Sequence, residues 1–282
     1  MSDLEDEIKK INAALDILKP YAEWTHNYSH TQAVLLKMAA LDTKNVIEFW
    51  HQGTVPIKFY IPKALVDHVQ RYYLETEKFW DQDSLLALEP FIKNKAVVDV
   101  GANVGNHAIY WGLVAEATSV QAFEPILETF IILEKNIKLN GLGRLIKAHR
   151  CALGAQNGTG DPTSHAENRM QSTVQARTDG QGAIRVRTLD SFKLTAVDFI
   201  KIDVEGHTID MLRGSTSTFE RFKPSIYVEL FPHEGNTCKQ FLENIGYIFL
   251  GSIEEYNYVF CHSSKTAEAN AFRGIIKGEW PF

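Results

Sequence analysis

Acidic residues recur at the ends of short apolar runs in this sequence, and the residues just beyond each run suggest ligand chemistry. The run Ala96-Val97-Val98-Asp99-Val100 leads into Gly101-Ala102-Asn103-Val104-Gly105-Asn106-His107. Glycines at 101 and 105 let a backbone turn tightly and approach a ligand closely. A helix starting near Asn106 would offer free N–H groups to an anion such as a carboxylate. A second run, Ser119 to Phe123, ends in Glu124, 23 residues after Gly101, where a carboxylate can accept both hydroxyl hydrogens of a ribose. The run Val197 to Ile202 continues as Asp203-Val204-Glu205-Gly206-His207, and the run Ser225 to Leu230 carries Glu229 near its end. Strand side chains alternate, so Lys201 and Asp203 share a face, with Glu205 and His207 in the turn beyond.

The spacing discriminates among ligands. A nicotinamide-dinucleotide fingerprint needs glycine at 103 and 106, and both positions are Asn. A phosphate loop of the GxxxxGK[ST] type is absent too. A nucleoside without a pyrophosphate fits better, and S-adenosylmethionine is the expected cofactor. The bland alternative is that the glycines only turn a strand into a helix. For methyl transfer to a hydroxyl, Asp203 or Glu205 is the expected base, with His207 as rival. Asp203, Glu205 and Glu229 could instead converge on a divalent cation, a reading placed below metal-free catalysis. For Lys201, an ion pair that merely holds the sheet together is as good a reading as a functional one.

These residues need strands to carry them. From Ala96 onward strand-like runs alternate with helical ones: helices from about Asn106, from Ile126 to Leu139 and from near Thr208, and a third strand from Leu145 to Ala152. Ile245 to Leu250 and Tyr256 to Cys261 suit an antiparallel pair at the C-terminal end. This alternation predicts an α/β, doubly wound, Rossmann-like sheet, mostly parallel, with ligands beyond the carboxyl ends of its strands. A polar stretch, about 154–183, interrupts the pattern and suggests a flap, with Met170–Ala176 pairing Ala183–Arg187 around Asp179-Gly180. Ahead of the domain, Leu4, Ile8, Ile11, Leu15 and Leu18 space an amphipathic helix suited to packing on the chain itself or on a second copy. The sequence stays helical in flavour from Tyr21 to His51, and again from Pro62 to about Ile92. The expected division is a helical extension over 1–54 and a catalytic domain over 55–282.

Composition sets outer bounds. The 282 residues include 29 Lys+Arg and 35 Asp+Glu, a net charge of −6, with 45% hydrophobic residues. That is a globular composition, and it argues against a dedicated nucleic-acid binder. Three scattered cysteines, Cys151, Cys238 and Cys261, supply neither a disulfide framework nor a CxxC site. With no apolar run long enough to span a bilayer and an acidic start unlike a signal peptide, a cytoplasmic protein is expected.

Taken together, Val98–His107, Ala122-Phe123-Glu124-Pro125, Ala152-Leu153-Gly154, Thr188-Leu189-Asp190-Ser191 and Ile200–His207 resemble the FkbM family of S-adenosylmethionine-dependent methyltransferases, in order and spacing, over about residues 55–262. The resemblance implies a class I methyltransferase fold and, for many members, O-methylation of sugars or natural products. It implies that Asp99, Gly101, Ala102, Asn103, Gly105 and Asn106 surround the methionine part of the cofactor. It also implies that Glu124 binds the ribose and that residues near Cys151 and Ala152 border the adenine. Two departures stand out. The flap segment Asn168-Arg169-Met170 lacks the family's glycine, and Thr208 stands where an acid often succeeds the histidine. A non-catalytic cofactor-binding scaffold and an NAD-dependent oxidoreductase are the competing classes.

Overall fold

The computed structural model describes residues 9–10, 34–39, 41, 44–165, 168–177, 180–204, 206–276 and 280–281. The expected amphipathic helix over Leu4–Leu18, and any role for it in self-association, lies almost wholly outside them. The chain forms two compact units, Met1–Trp80 and Asp81–Phe282.

In the first unit β1 (Val46–His51) and β2 (Val55–Tyr60) form an antiparallel hairpin. The helical flavour expected through His51 therefore gives way to a strand, and the hairpin straddles the expected boundary at residue 54. Alternation explains it: Ile47, Phe49, Ile57 and Phe59 are buried while Glu48 and Lys58 pair on the other face at 3.3 Å. The inner face packs on α1 (His68–Thr76), with the Phe59 ring stacked on Tyr73 at 4.2 Å and edge-on to Phe79 at 5.8 Å.

The second unit opens with α2 (Gln82–Ile92). The helical stretch expected over 62–92 is thus two helices, broken where Glu77 and Asp81 take left-handed backbone angles. Then come β3 (Ala96–Val100), α3 (Asn106–Leu113), β4 (Ser119–Phe123), α4 (Leu127–Leu139) and β5 (Ile146–His149). Beyond the flap lie β10 (Phe199–Ile202), α5 (Thr208–Arg213), α6 (Thr216–Phe222), β11 (Ser225–Glu229), α7 (Gly235–Asn244), β12 (Tyr247–Glu254), β13 (Asn257–His262) and α8 (Thr266–Phe272). The strands build one seven-stranded sheet in the order β12-β13-β11-β10-β3-β4-β5. β13 runs antiparallel to both its neighbours, and the pairs from β11 to β5 are parallel. The strands following β3 in sequence are added on one side as β4 and β5 and on the other as β10 and β11, so the crevice beyond the carboxyl ends of the parallel pair β3 and β10 is where a ligand is expected. Val98, Val100, Ile200, Ile202, Ile226 and Val228 line one buried face with Met211, Leu212 and Phe219 from α5 and α6, as fully covered parallel strands require.

The run expected as a third strand splits. β5 ends at His149, and β6 (Ala152–Leu153) starts a second sheet with β7 (Gly158–His165), β8 (Asn168–Arg177) and β9 (Ile184–Arg187), in the order β6-β9-β7-β8. The flap is therefore a sheet, but with a different pairing from the expected one: β8 pairs with β7, and β9 pairs with β7 and with β6. β9 buries Ile184 and Val186. Asp161 of β7 then ties the two sides together, accepting from Arg177 at 2.7 Å and from the Ala183 amide at 3.0 Å.

Two of the family-like motifs have structural work in this unit. A Cβ on Gly214 would lie 2.0 Å from the Gly154 carbonyl oxygen, so the backbone of the Ala152-Leu153-Gly154 segment passes too close for any side chain there. Asp190 sits in a one-turn 3-10 helix (Leu189–Phe192) and accepts from the Ser217 amide at 3.0 Å and from the Thr218 amide and hydroxyl at 2.8 and 2.6 Å. It acts as a borrowed N-cap for α6. Asp190→Ala is expected to lower unfolding stability by about 2 kcal/mol without moving the cofactor loop. Urea unfolding beside nucleoside binding would check both.

Candidate functional site

The turn between β3 and α3 is held from two sides. The amides of Gly101 and Ala102 both donate to the Phe123 carbonyl of β4, at 3.0 and 2.9 Å. Gly101, Asn103 and Gly105 take positive φ values of 78°, 49° and 98°, the left-handed region that glycine tolerates best. Ala102 and Asn106 are buried, while Asn103 is exposed. From α4, the fully buried Asn136 donates its amide to the Val104 carbonyl at 2.9 Å. Sequence reasoning missed Asn136; a lone polar residue on an otherwise apolar helix face was the available signal.

Glu124 is 6% exposed, and both its oxygens reach the same region. Oε2 accepts from the Asn103 amide at 3.1 Å and Oε1 from the Ile126 amide at 2.8 Å. Burial pushes its carboxyl up to about 7 against those two amides. At the end of β5, Cys151 is buried in the core beside Phe123 and Leu153, and burial raises its thiol to about 11. Its side chain is thus part of the packing, and Ala152 beside it is half-buried. His149 stacks on Phe123 at 4.7 Å, meets Phe192 edge-on at 4.9 Å and hydrogen-bonds Gln121 at 2.8 Å.

The register across the central strands puts Asp99, Lys201 and Tyr227 side by side. Lys201, 4% exposed, donates to Asp203 Oδ2 at 2.9 Å and to the Gly101 carbonyl at 3.3 Å, and lies 3.8 Å from Asp99 Oδ1. Burial opposes its charge, yet Asp203 and Asp99 carry its pKa up to about 12. Burial also works against the Asp203 carboxylate, but the Lys201 ammonium prevails and holds it below the usual carboxylate range. The Asp203 side chain remains 36% exposed. Asp99 is fully buried; burial and then Asp203 raise it to about 6, although Lys201 pulls the other way. The Ala108 backbone amide on α3 also draws it down. His107, on the first turn of α3, is held neutral by burial and by Lys201, its pKa down to about 3.

The turn after β10 brings His207 to the N-cap position of α5. Glu234, also unforeseen, anchors that helix by accepting from the Thr208 amide and hydroxyl, both at 3.2 Å. Its carboxylate thus stands beside the threonine that replaces the acid. Glu205 lies outside the described residues. Glu229 ends β11 half-buried, and its charge bears on Lys201. Among the described residues no three His, Cys, Asp or Glu side chains come together as a metal site.

Residues 99–260, more than half of the chain, match the family model described as the methyltransferase FkbM domain. The chain belongs to the FkbM methyltransferase family. The match starts at the buried Asp99 and ends in β13, so it takes in the β3–α3 turn, Glu124 and the whole β10 strand end. The family makes the chain an S-adenosylmethionine-dependent methyltransferase, and its strand order is the class I methyltransferase arrangement, with a C-terminal antiparallel hairpin. Curated relatives include Methyltransferase 1 of Beauveria bassiana (28% identical, covering 58% of this chain and 77% of the relative). Another is the hexuronic acid methyltransferase AglP of Haloferax volcanii (27% identical, 57% and 67%). Among solved structures, an FkbM methyltransferase from Methylobacillus flagellatus is 15% identical with a TM-score of 0.44, covering 85% of this chain and 59% of that one. Among the described residues no helix is long and apolar enough to cross a membrane.

Proposed function

We propose that this chain transfers a methyl group from S-adenosylmethionine to a hydroxyl of a sugar, a glycan or a related natural product. The observation that carries the reading is the placing of two carboxylates, Glu124 and Asp203, at the ends of β4 and β10, on either side of the Gly101 turn. The residues fit the donor. A carboxylate has room for about four hydrogen bonds, so Glu124 can hold the loop amides and still accept from ribose hydroxyls. Asp99, a buried acid with the Lys201 ammonium 3.8 Å away, suits the donor's ammonium. The Gly105 amide already donates to the Ala102 carbonyl at 2.9 Å, so it is the positive end of α3, starting at Asn106, that suits its carboxylate, with Gly101, Ala102 and Asn103 forming the wall between. Backbone at Cys151 and Ala152 borders the adenine.

When bound, the donor supplies a methyl group already activated by its sulfonium. What remains for the protein is alignment and removal of one proton. Asp203, ionised and partly exposed, accepts the hydrogen bond of the attacking hydroxyl, fixing its lone pair toward the methyl carbon. Its low basicity means that the proton leaves late, as the new C–O bond forms. Glu205 and His207, two and four residues further along the sequence, are the other proton acceptors within this reading, and catalysis needs no metal ion.

Hexuronic acids and oligosaccharides carrying them are the first acceptors to try, given what the Haloferax relative is named for. Mass spectrometry should show a gain of one methyl group, lost on mild base if it is an ester and retained if it is an ether. Asp203→Asn is expected to lower kcat by about 100-fold. Undiminished turnover would remove Asp203 from the mechanism. Donor binding with no transfer to any hydroxylated acceptor would favour a cofactor-binding scaffold instead.

A further inference from the structure

The Lys201 side chain occupies the place where the strand-end carboxylates converge. Its ammonium has three N–H bonds and three oxygens around it: Asp203 Oδ2 at 2.9 Å, the Gly101 carbonyl at 3.3 Å and Asp99 Oδ1 at 3.8 Å. Glu229 adds a further negative charge nearby. The oxygens come from β3, from the turn after it and from just beyond β10, so one side chain spans the point where the strand order switches sides. An acidic strand end needs a cation to keep two carboxylates together in a buried setting, and oxygen donors of this kind are those that hard divalent ions use.

We propose that Lys201 is the resident cation of this site, filling the position a divalent metal would otherwise take and fixing the Gly101 turn and Asp203 in one geometry. It is a positioning residue for the donor pocket: it touches the carbonyl of the turn rather than the reacting atoms. One positive charge against Asp99 and Asp203 leaves the pocket with a net negative charge, which suits a cationic sulfonium. A lysine that merely tied the sheet together would need one carboxylate partner, not a turn carbonyl as well.

The test removes the ammonium and then returns one. Lys201→Ala should bind S-adenosylhomocysteine at least tenfold more weakly by calorimetry, well below its melting temperature. Ethylammonium chloride should restore much of that loss and raise the variant's melting temperature even without nucleoside, while tetramethylammonium, which has no N–H, should do neither. Unchanged affinity in Lys201→Ala would overturn the proposal. So would a folded variant that no small amine rescues, since that marks lost packing rather than a lost cation. If the variant does not fold, manganese titration of the wild-type protein followed by electron paramagnetic resonance decides: free manganese alone is expected, and an ion bound beside the intact lysine overturns the proposal. The proposal rests on the donor reading only in the calorimetric arm. A wild-type protein that ignores S-adenosylhomocysteine would sink that reading, while amine-dependent melting would still report on Lys201.

Discussion

Gly101→Ala is expected to abolish measurable binding of S-adenosylhomocysteine and to destabilise the protein by more than about 3 kcal/mol. Two independent penalties fall on one methyl group. The backbone at Gly101 has φ +78°, a conformation that costs an alanine on the order of 1 kcal/mol or more. A Cβ there would also lie 1.8 Å from the backbone oxygen of Asp203, far inside contact distance, and backbone cannot swing away as a side chain tip can. To make room, the ends of β3 and β10 would have to part. The Asp203 amide would then lose its 3.0 Å bond to the Val100 carbonyl, and the Gly101 amide its bond to Phe123. The donor turn and the proposed catalytic carboxylate are therefore one packing unit, and damage to either reaches both. Gly143→Ala is the control, because φ there is ordinary and nothing lies within 4 Å of the added carbon. Calorimetry and thermal unfolding of the two variants would separate the site-specific loss from a general cost. Near-wild-type binding by Gly101→Ala would show that the turn does not set the pocket.

Loss of the Glu124 carboxylate ranks second. Glu124→Ala should weaken nucleoside affinity by about 100-fold, corresponding to about 3 kcal/mol for charge-assisted hydrogen bonds to the ligand and to the loop. The same residue sets a pH signature. Its carboxyl lies near 7 in the folded chain against a reference of 4.5, so the folded state binds the proton more tightly than the unfolded one. The stability linked to this group is therefore present below about pH 4.5 and is lost as pH rises toward 7, by about 3 kcal/mol across that window. Ligand binding runs the other way. Ribose hydroxyls donate to the ionised form, so affinity should rise with pH up to about 7, by at most about tenfold per pH unit, and then level off. Urea unfolding of the free protein and S-adenosylhomocysteine titrations from pH 5 to 8 would check both slopes. A flat affinity profile in the wild type, or an unchanged slope in Glu124→Ala, would show that Glu124 does not hold the ribose.

The main sheet was largely legible in advance, because its strands are short β-branched runs and its turns carry glycine or an acid at each carboxyl end. The flap was not. Its polar residues offer no strong alternation to choose between partners, so β8 could be assigned to the wrong neighbour until the buried pair Ile184 and Val186 placed β9. The strand Val46–His51 was likewise hidden, since six residues suit either period until a partner such as β2 is seen. Supporting residues such as Asn136 and Glu234 escaped notice because their contacts bridge 32 and 26 residues, a distance no local pattern can reveal.

The carboxylates themselves belong to a different category. That Asp99, Glu124, Asp203 and Glu229 end strands was already present in the order of the residues, because side-chain alternation and glycine spacing are local properties of a chain. Their ionisation was not. Asp99, within β3, and Asp203, just past the end of the neighbouring β10, are the same residue type, yet one is raised to about 6 and the other held low. Burial comes first, since the Asp99 side chain is wholly inside and that of Asp203 is 36% exposed, and Lys201 then favours the nearer acid, at 2.9 Å against 3.8 Å. Charge interactions depend on distance and burial in three dimensions, so sequence named the family and its acids, and only the folded chain decided how readily each of them takes up a proton.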